Sequence, residues 1–190
     1  MKIGLFFGSF NPIHVGHLII ADHVANNTDL DEVWFVVSPQ NPFKQKKNLL
    51  SEYDRLHLVN LAIDGNEKLK ASDIEFKLPK PSYTVDTLIY LKEKFNTHDF
   101  SLIMGSDNLE NLHKWKNADI LFRDYHFYIY NRPGHTDIEN ADKAQVTFVD
   151  APQLKISSTF IRNSIKEGKT IRYILHEKVR NEIAEMGWYK

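Results

Sequence analysis

The 190-residue sequence contains no cysteine. That excludes disulfides, thiolate metal sites and a cysteine nucleophile, and it agrees with a reducing compartment. It has no run of 18 or more apolar residues, so no membrane span is expected. An excess of one charge sign is also missing: 24 Lys and Arg stand against 25 Asp and Glu, a formal net charge of -1. A broadly basic nucleic-acid surface is therefore not expected, so neither nucleic acid nor membrane is a predicted partner. The opening residues Met1–Gly8 hold one lysine and a short apolar run. They lack the length and the small-residue cleavage site of a signal peptide and read as a strand. Internal repeats, low-complexity tracts and a recognisable domain linker are not found either. What is present is 42% hydrophobic and 26% charged residues. That is ordinary for a cytoplasmic globular chain, and 190 residues suffice for one domain with its own core, over residues 1–190.

Hydropathy alternates between strand-like and helix-like stretches. Lys2–Phe7 and Val33–Val37 are apolar runs stopped by Gly8 and by Ser38-Pro39, as buried strands are. Helical spacing is read from Pro12 to about Asn27, over Glu52–Asp64, and over Ser82–Phe95 with Val85, Leu88, Ile89 and Leu91 toward the core. Leu69–Phe76 is a weaker strand and Phe100–Met104 a strong one ending at Gly105. Asn108–Phe122 reads as one or two short helices, Phe127–Tyr130 and Val146–Val149 as short strands, Ser157–Lys166 and Glu177–Met186 as closing helices. Strands separated by helices imply βαβ units and an α/β fold, a doubly wound, mostly parallel sheet. Ligands on such sheets sit beyond the carboxyl ends of the strands, which directs attention to the residues after Phe7, Val37, Met104 and Val149.

After the first strand comes Gly8-Ser9-Phe10-Asn11-Pro12-Ile13-His14-Val15-Gly16-His17. Gly8 permits a tight turn, Asn11 fits a helix cap and Pro12 its first position. His14 and His17 then fall one turn apart at a helix start, where cations are unfavourable and anions favoured. A bound phosphate turns that placement into an advantage, with Gly16 leaving room beside the two rings. A zinc ion held by both histidines is another reading, but no Cys, Glu or third His stands nearby to complete it. Near the other end, Ile156-Ser157-Ser158-Thr159-Phe160-Ile161-Arg162 sets three hydroxyls at a helix start and an arginine one turn in. The guanidinium fork suits phosphate oxygens.

Gly8–His17 resembles the HxGH phosphate-binding motif of the nucleotidylyltransferase superfamily, and Ile156–Arg162 resembles its ISSTxxR signature. Both occur in the expected order, and the resemblance covers nearly the whole chain. Pro81–Leu88 is similar to the SYTxDTL segment of bacterial nicotinate-nucleotide adenylyltransferases, and Gly105–Leu109 to their GxDxL segment. Trp115 matches an aromatic which that family sets against the pyridine ring, and Arg132-Pro133-Gly134 fits its pattern. The loop Pro39–Lys44 departs from the family's proline–histidine–lysine: Phe43 stands where the histidine would be, while Lys44 remains.

The resemblance implies a Rossmann-like nucleotidylyltransferase fold. It implies a reaction in which ATP and nicotinate mononucleotide give deamido-NAD and pyrophosphate, in NAD biosynthesis. ATP would meet the backbone of Gly8, Ser9 and Phe10. His14 and His17 would bind phosphates, with His17 at the α-phosphorus. Ser157, Ser158 and Arg162 would hold the β- and γ-phosphates, so that the part over residues 157–190 completes the ATP site. Lys44 would be a further phosphate contact, Gly105 and Asp107 would line the adenosine side, and Thr84 and Trp115 would face the pyridine nucleotide. Mg²⁺ would be carried mainly by the ATP phosphates, with no dedicated protein ligands. Rival readings are adenylyl or cytidylyl transfer to another acceptor, such as nicotinamide mononucleotide or phosphopantetheine, and a nucleotide-binding regulator without catalysis. Oligomeric state is not legible in the sequence.

Overall fold

Period-two burial builds each central strand. In β1 (Lys2–Gly8), Ile3 and Leu5 point to one side of the sheet and Phe6 to the other. β2 (Glu32–Val37), β4 (Asp99–Gly105) and β5 (His126–Tyr130) are buried on both sides in the same way. Buried faces on both sides are the mark of a parallel sheet covered by helices. A computed structural model describes residues 1–40, 49–132 and 145–190. Its six strands, with β3 (Leu69–Ser72) and β6 (Gln145–Val149), lie in the order β3-β2-β1-β4-β5-β6, and every neighbouring pair is parallel. The order reverses direction between β1 and β4, which opens a crevice at their carboxyl ends.

One face of the sheet is covered by α1 (Val15–Asn27), α2 (Glu52–Ile63), α6 (Ser158–Lys166) and α7 (Glu177–Met186). There Ala21, Val24, Leu58, Val59, Ile161, Val179 and Ile183 share a core with Phe6, Phe35 and Tyr130. The other face carries α3 (Thr84–Lys94), α4 (Ser106–Glu110) and α5 (Ala118–Asp124), whose Leu88, Leu91, Leu109 and Leu121 pack with Ile3, Leu5 and Leu102. Each fully buried aliphatic side chain of this kind contributes about 1.5–3 kcal/mol.

The elements differ from the sequence-based expectation in four places. α1 begins at Val15, not Pro12, with His14 at its cap position. β3 stops at Ser72, and Ile74–Lys77 forms a 3-10 turn because Ile74 and the Glu75 carboxylate both turn inward. Ile89 is 47% exposed, so the buried stripe of α3 runs through Val85, Thr87, Leu88 and Leu91. The stretch expected as one or two helices is three short pieces, α4, a 3-10 turn at Leu112–Lys114, and α5.

Candidate active site

The segment after β1 is held from several directions. Phe10 has a left-handed backbone, φ 45, and its ring is buried against Phe6, Phe35 and His17. A Cβ on Gly8 would lie 2.7 Å from the Phe10 ring, so the glycine makes room for that ring. Asn11 does not cap α1. Its side-chain oxygen accepts hydrogen bonds from the Leu50 N–H (3.3 Å) and the Tyr189 hydroxyl (2.7 Å), and its carbonyl accepts one from Arg162 (2.7 Å). With those groups engaged, the helix start passes to His14.

His14 and His17 stack, ring centroids 3.7 Å apart and 22° from parallel. The His14 N–H donates to Nδ1 of His17 (3.3 Å), so neutral His17 carries its proton on Nε2. His14 is 5% exposed, and among the described residues its Nδ1 has no hydrogen-bond partner. Burial, helped by the positive charge of Arg132, lowers its pKa from 6.5 to about 4. His14 therefore avoids the unfavourable charge at a helix N-terminus by staying neutral. Gly16, expected to leave space for a nucleotide, leaves it for His14: a Cβ there would sit 3.1 Å from the imidazole. Among the described residues no three His, Asp or Glu side chains gather as a metal site.

α6 starts against the same segment. Ser157 is its cap, the hydroxyl accepting from the Phe160 N–H (3.1 Å). The Ser158 hydroxyl donates to the Pro12 carbonyl (2.9 Å), and Arg162 bonds the Asn11 carbonyl and the Thr159 hydroxyl (3.1 Å). The two helix starts, α1 and α6, are thus stitched together. At the mouth of β4 and β5, Ser106 accepts from the Arg132 N–H (2.9 Å), and Arg132 lies 3.3 Å from Asp107. A Cβ on Gly105 would meet the Asp107 carboxylate at 2.4 Å and the Arg132 guanidinium at 2.9 Å, so a side chain there would push both groups aside.

Thr84 is the first residue of α3, but neither Ser82 nor Thr84 caps it. Tyr83 holds the cap position without a side-chain bond. Ser82 and Thr87 instead donate to the two oxygens of buried Glu75, each at 2.9 Å, and burial raises that carboxyl's pKa. Lys116, next to Trp115, bonds Asp86 (2.8 Å) and sits 4.9 Å over the Tyr83 ring, tying the Trp115 segment to the start of α3. Half-buried Trp115 borders a cleft of about 600 Å³ with His113, Asn117, Ala118, Asp119 and Phe122. Lys44 lies outside the described residues.

Sequence reasoning missed Arg55. Wholly buried, its guanidinium donates to the carbonyls of Ser9 (2.6 Å), Ser38 (2.8 Å), Pro39 (3.0 Å) and Leu50 (3.0 Å). It was detectable in principle: Arg55, Leu58, Val59 and Ala62 share one helical face. Glu75 and Tyr189 carry no comparable periodic signal. Burial holds the Tyr189 phenol above its usual pKa, with Arg162 and Arg55 pulling the other way.

The cytidylyltransferase-like family profile matches residues 5–164. A protein of Flavobacterium psychrophilum named "Probable nicotinate-nucleotide adenylyltransferase" is 54% identical, with all of both chains covered. One of the same name from Cytophaga hutchinsonii is 53% identical over all of this chain and 98% of its own. A Plasmodium falciparum nicotinic acid mononucleotide adenylyltransferase complexed with NaAD shares the fold, with a TM-score of 0.85 at 22% identity over 99% of this chain and 97% of its own. The doubly wound sheet is thus the Rossmann-like nucleotidylyltransferase fold, and the chain belongs to the nicotinate-nucleotide adenylyltransferases of the cytidylyltransferase-like family.

Proposed function

We infer that this chain transfers the adenylyl group of ATP to nicotinate mononucleotide, giving deamido-NAD and pyrophosphate in NAD biosynthesis. The observation that carries the reading is the joining of two helix starts: Ser158 and Arg162 of α6 bond the backbone of Pro12 and Asn11, just before His14 and His17. Two helix N-termini with imidazole and guanidinium donors suit a polyphosphate. The names of the relatives supply the acceptor.

In the reaction, an oxygen of the mononucleotide phosphate forms a bond to the α-phosphorus of ATP, the bond from that phosphorus to the bridging oxygen breaks, and pyrophosphate leaves in line. Positioning and charge stabilisation are the main tasks of the protein in such a transfer. His17, with its proton on Nε2, is the donor assigned to the α-phosphoryl oxygens. His14, neutral and lacking a partner at Nδ1 among the described residues, is the second phosphate group. Arg162, Ser157 and the first N–H groups of α6 are assigned the leaving pyrophosphate. The Ser158 hydroxyl gives its proton to Pro12, so its contribution to the phosphates is its N–H. Backbone of Gly8, Ser9 and Phe10 is assigned the triphosphate path, and Gly105 and Asp107 the adenosine side. Thr84 and Trp115 receive the pyridine nucleotide, the indole stacking on its electron-poor ring.

Mg²⁺ enters with ATP. Phosphate oxygens and water are the ligands proposed for it. It would neutralise phosphate charge there. No helix among the described residues is long and apolar enough to cross a membrane, and a cysteine-free chain of this kind is proposed to work in the cytoplasm.

The test sets nicotinate and nicotinamide mononucleotides side by side with Mg-ATP, and Mg-CTP in place of ATP. Pyrophosphate release is expected with ATP and the nicotinate, at least tenfold faster than with the amide. Faster turnover of the amide, a requirement for CTP, or no pyrophosphate from any pair contradicts the reading.

A further inference from the structure

Beyond α7 the chain turns back on itself. Gly187 caps the helix in the left-handed conformation, φ 66, and the Trp188 N–H donates to the Ile183 carbonyl (3.1 Å). Tyr189 is left-handed as well, φ 66, a costly backbone for a bulky side chain. Its half-buried ring joins Trp188 against the core under α1 and α2, and its hydroxyl donates to the side-chain oxygen of Asn11 (2.7 Å). The same oxygen takes the Leu50 N–H, and the Asn11 carbonyl takes Arg162. Asn11 is therefore the point where the segments after β1, before α2, at α6 and after α7 meet, three residues before His14. Packing alone would be served by a phenyl ring; only a hydroxyl reaches Asn11.

We propose that Tyr189 is a positioning residue of the triphosphate site: by holding the Asn11 side chain it sets the carbonyl that anchors Arg162 and the course of the backbone into His14 and His17. The inference rests on the reading of this segment as the ATP site. Tyr189 touches no reacting atom; it acts through Asn11.

Tyr189→Phe keeps the ring and removes the hydroxyl. The variant is expected to bind ATP three- to tenfold more weakly by calorimetry, with the KM for ATP raised in proportion, the KM for nicotinate mononucleotide within twofold of wild type, and Tm lower by about 1–6 °C, the change expected for one lost hydrogen bond. Tyr128→Phe is the control. It removes another tyrosine hydroxyl bond, to Asp29, at the amino ends of the strands. It should lower Tm and leave both KM values alone. Wild-type ATP affinity in Tyr189→Phe overturns the proposal. So does a parallel rise of both KM values with a large fall in Tm, or an equal loss of ATP affinity in Tyr128→Phe. The binding arm separates this from the acceptor assignment. A wild-type protein that binds ATP without releasing pyrophosphate sinks the functional reading, whereas weaker ATP binding in Tyr189→Phe still supports the positioning role.

Discussion

His14 couples the site to pH. Its imidazole is neutral in the folded chain because burial and Arg132 disfavour the charged form, with a pKa lowered from 6.5 to about 4. The unfolded chain takes up a proton first as pH falls, so the stability that His14 confers is complete above 6.5 and is lost between 6.5 and about 4. The loss amounts to about 3 kcal/mol at 1.36 kcal/mol per pH unit. Urea unfolding across that window should show it, and His14→Gln should flatten the profile; equal slopes in the two proteins contradict the assignment. A bound triphosphate favours the charged imidazole, so an ATP analogue should raise the His14 pKa in an NMR titration. The sequence marked His14 and His17 as a pair but not the neutrality of His14, because that depends on a burial depth and on the charge of Arg132, both set by distant parts of the chain. The same holds for Asn11. Its capping signal was legible, yet Leu50, Tyr189 and Arg162 claim its oxygens, and no local pattern reveals them.

At the scale of elements, helix starts do the work. α1, α3, α4 and α6 all begin at the carboxyl-end side of the sheet, within three residues of where the strand–helix alternation put them. Strand existence was legible for the buried runs of β1, β2 and β4, since period and composition agree there. The helix-to-turn pieces after β4 were less so, because a five-residue helix is little more than one turn and its apolar positions do not repeat. Arg55 connects elements rather than belonging to one. Its four donated bonds fix the ends of β1 and β2 relative to the start of α2. Arg55→Met keeps the bulk and leaves those carbonyls without their donor, so it should cost about 3 kcal/mol or more in urea unfolding. Arg55→Lys should recover little of the loss, since one ammonium cannot span four carbonyls. A loss below about 1 kcal/mol in Arg55→Met contradicts this role.

Across the whole molecule, one core cluster runs from Phe6 through Leu58 and Tyr130 to Ile161 and Ile183. We propose on that ground that residues 1–190 form one cooperative domain in which the part over 157–190 is a wall of the ATP site. Urea unfolding followed by far-UV circular dichroism and by tryptophan fluorescence, from Trp34, Trp115 and Trp188, should then give coincident transitions. Separate midpoints contradict it. The order of motifs along the sequence pointed to a meeting of the starts of α1 and α6, but not to a bridge made of backbone carbonyls.

The most direct test of the central claim, that the starts of α1 and α6 grip one triphosphate, is a double-mutant cycle on kcat/KM for ATP. His17→Ala and Arg162→Ala should each lower it by about a hundredfold or more while the fold survives, and the double variant should lose less than the product of the two. Strict additivity, near-normal turnover in His17→Ala, or an Arg162→Ala effect confined to the pyridine nucleotide contradicts the account.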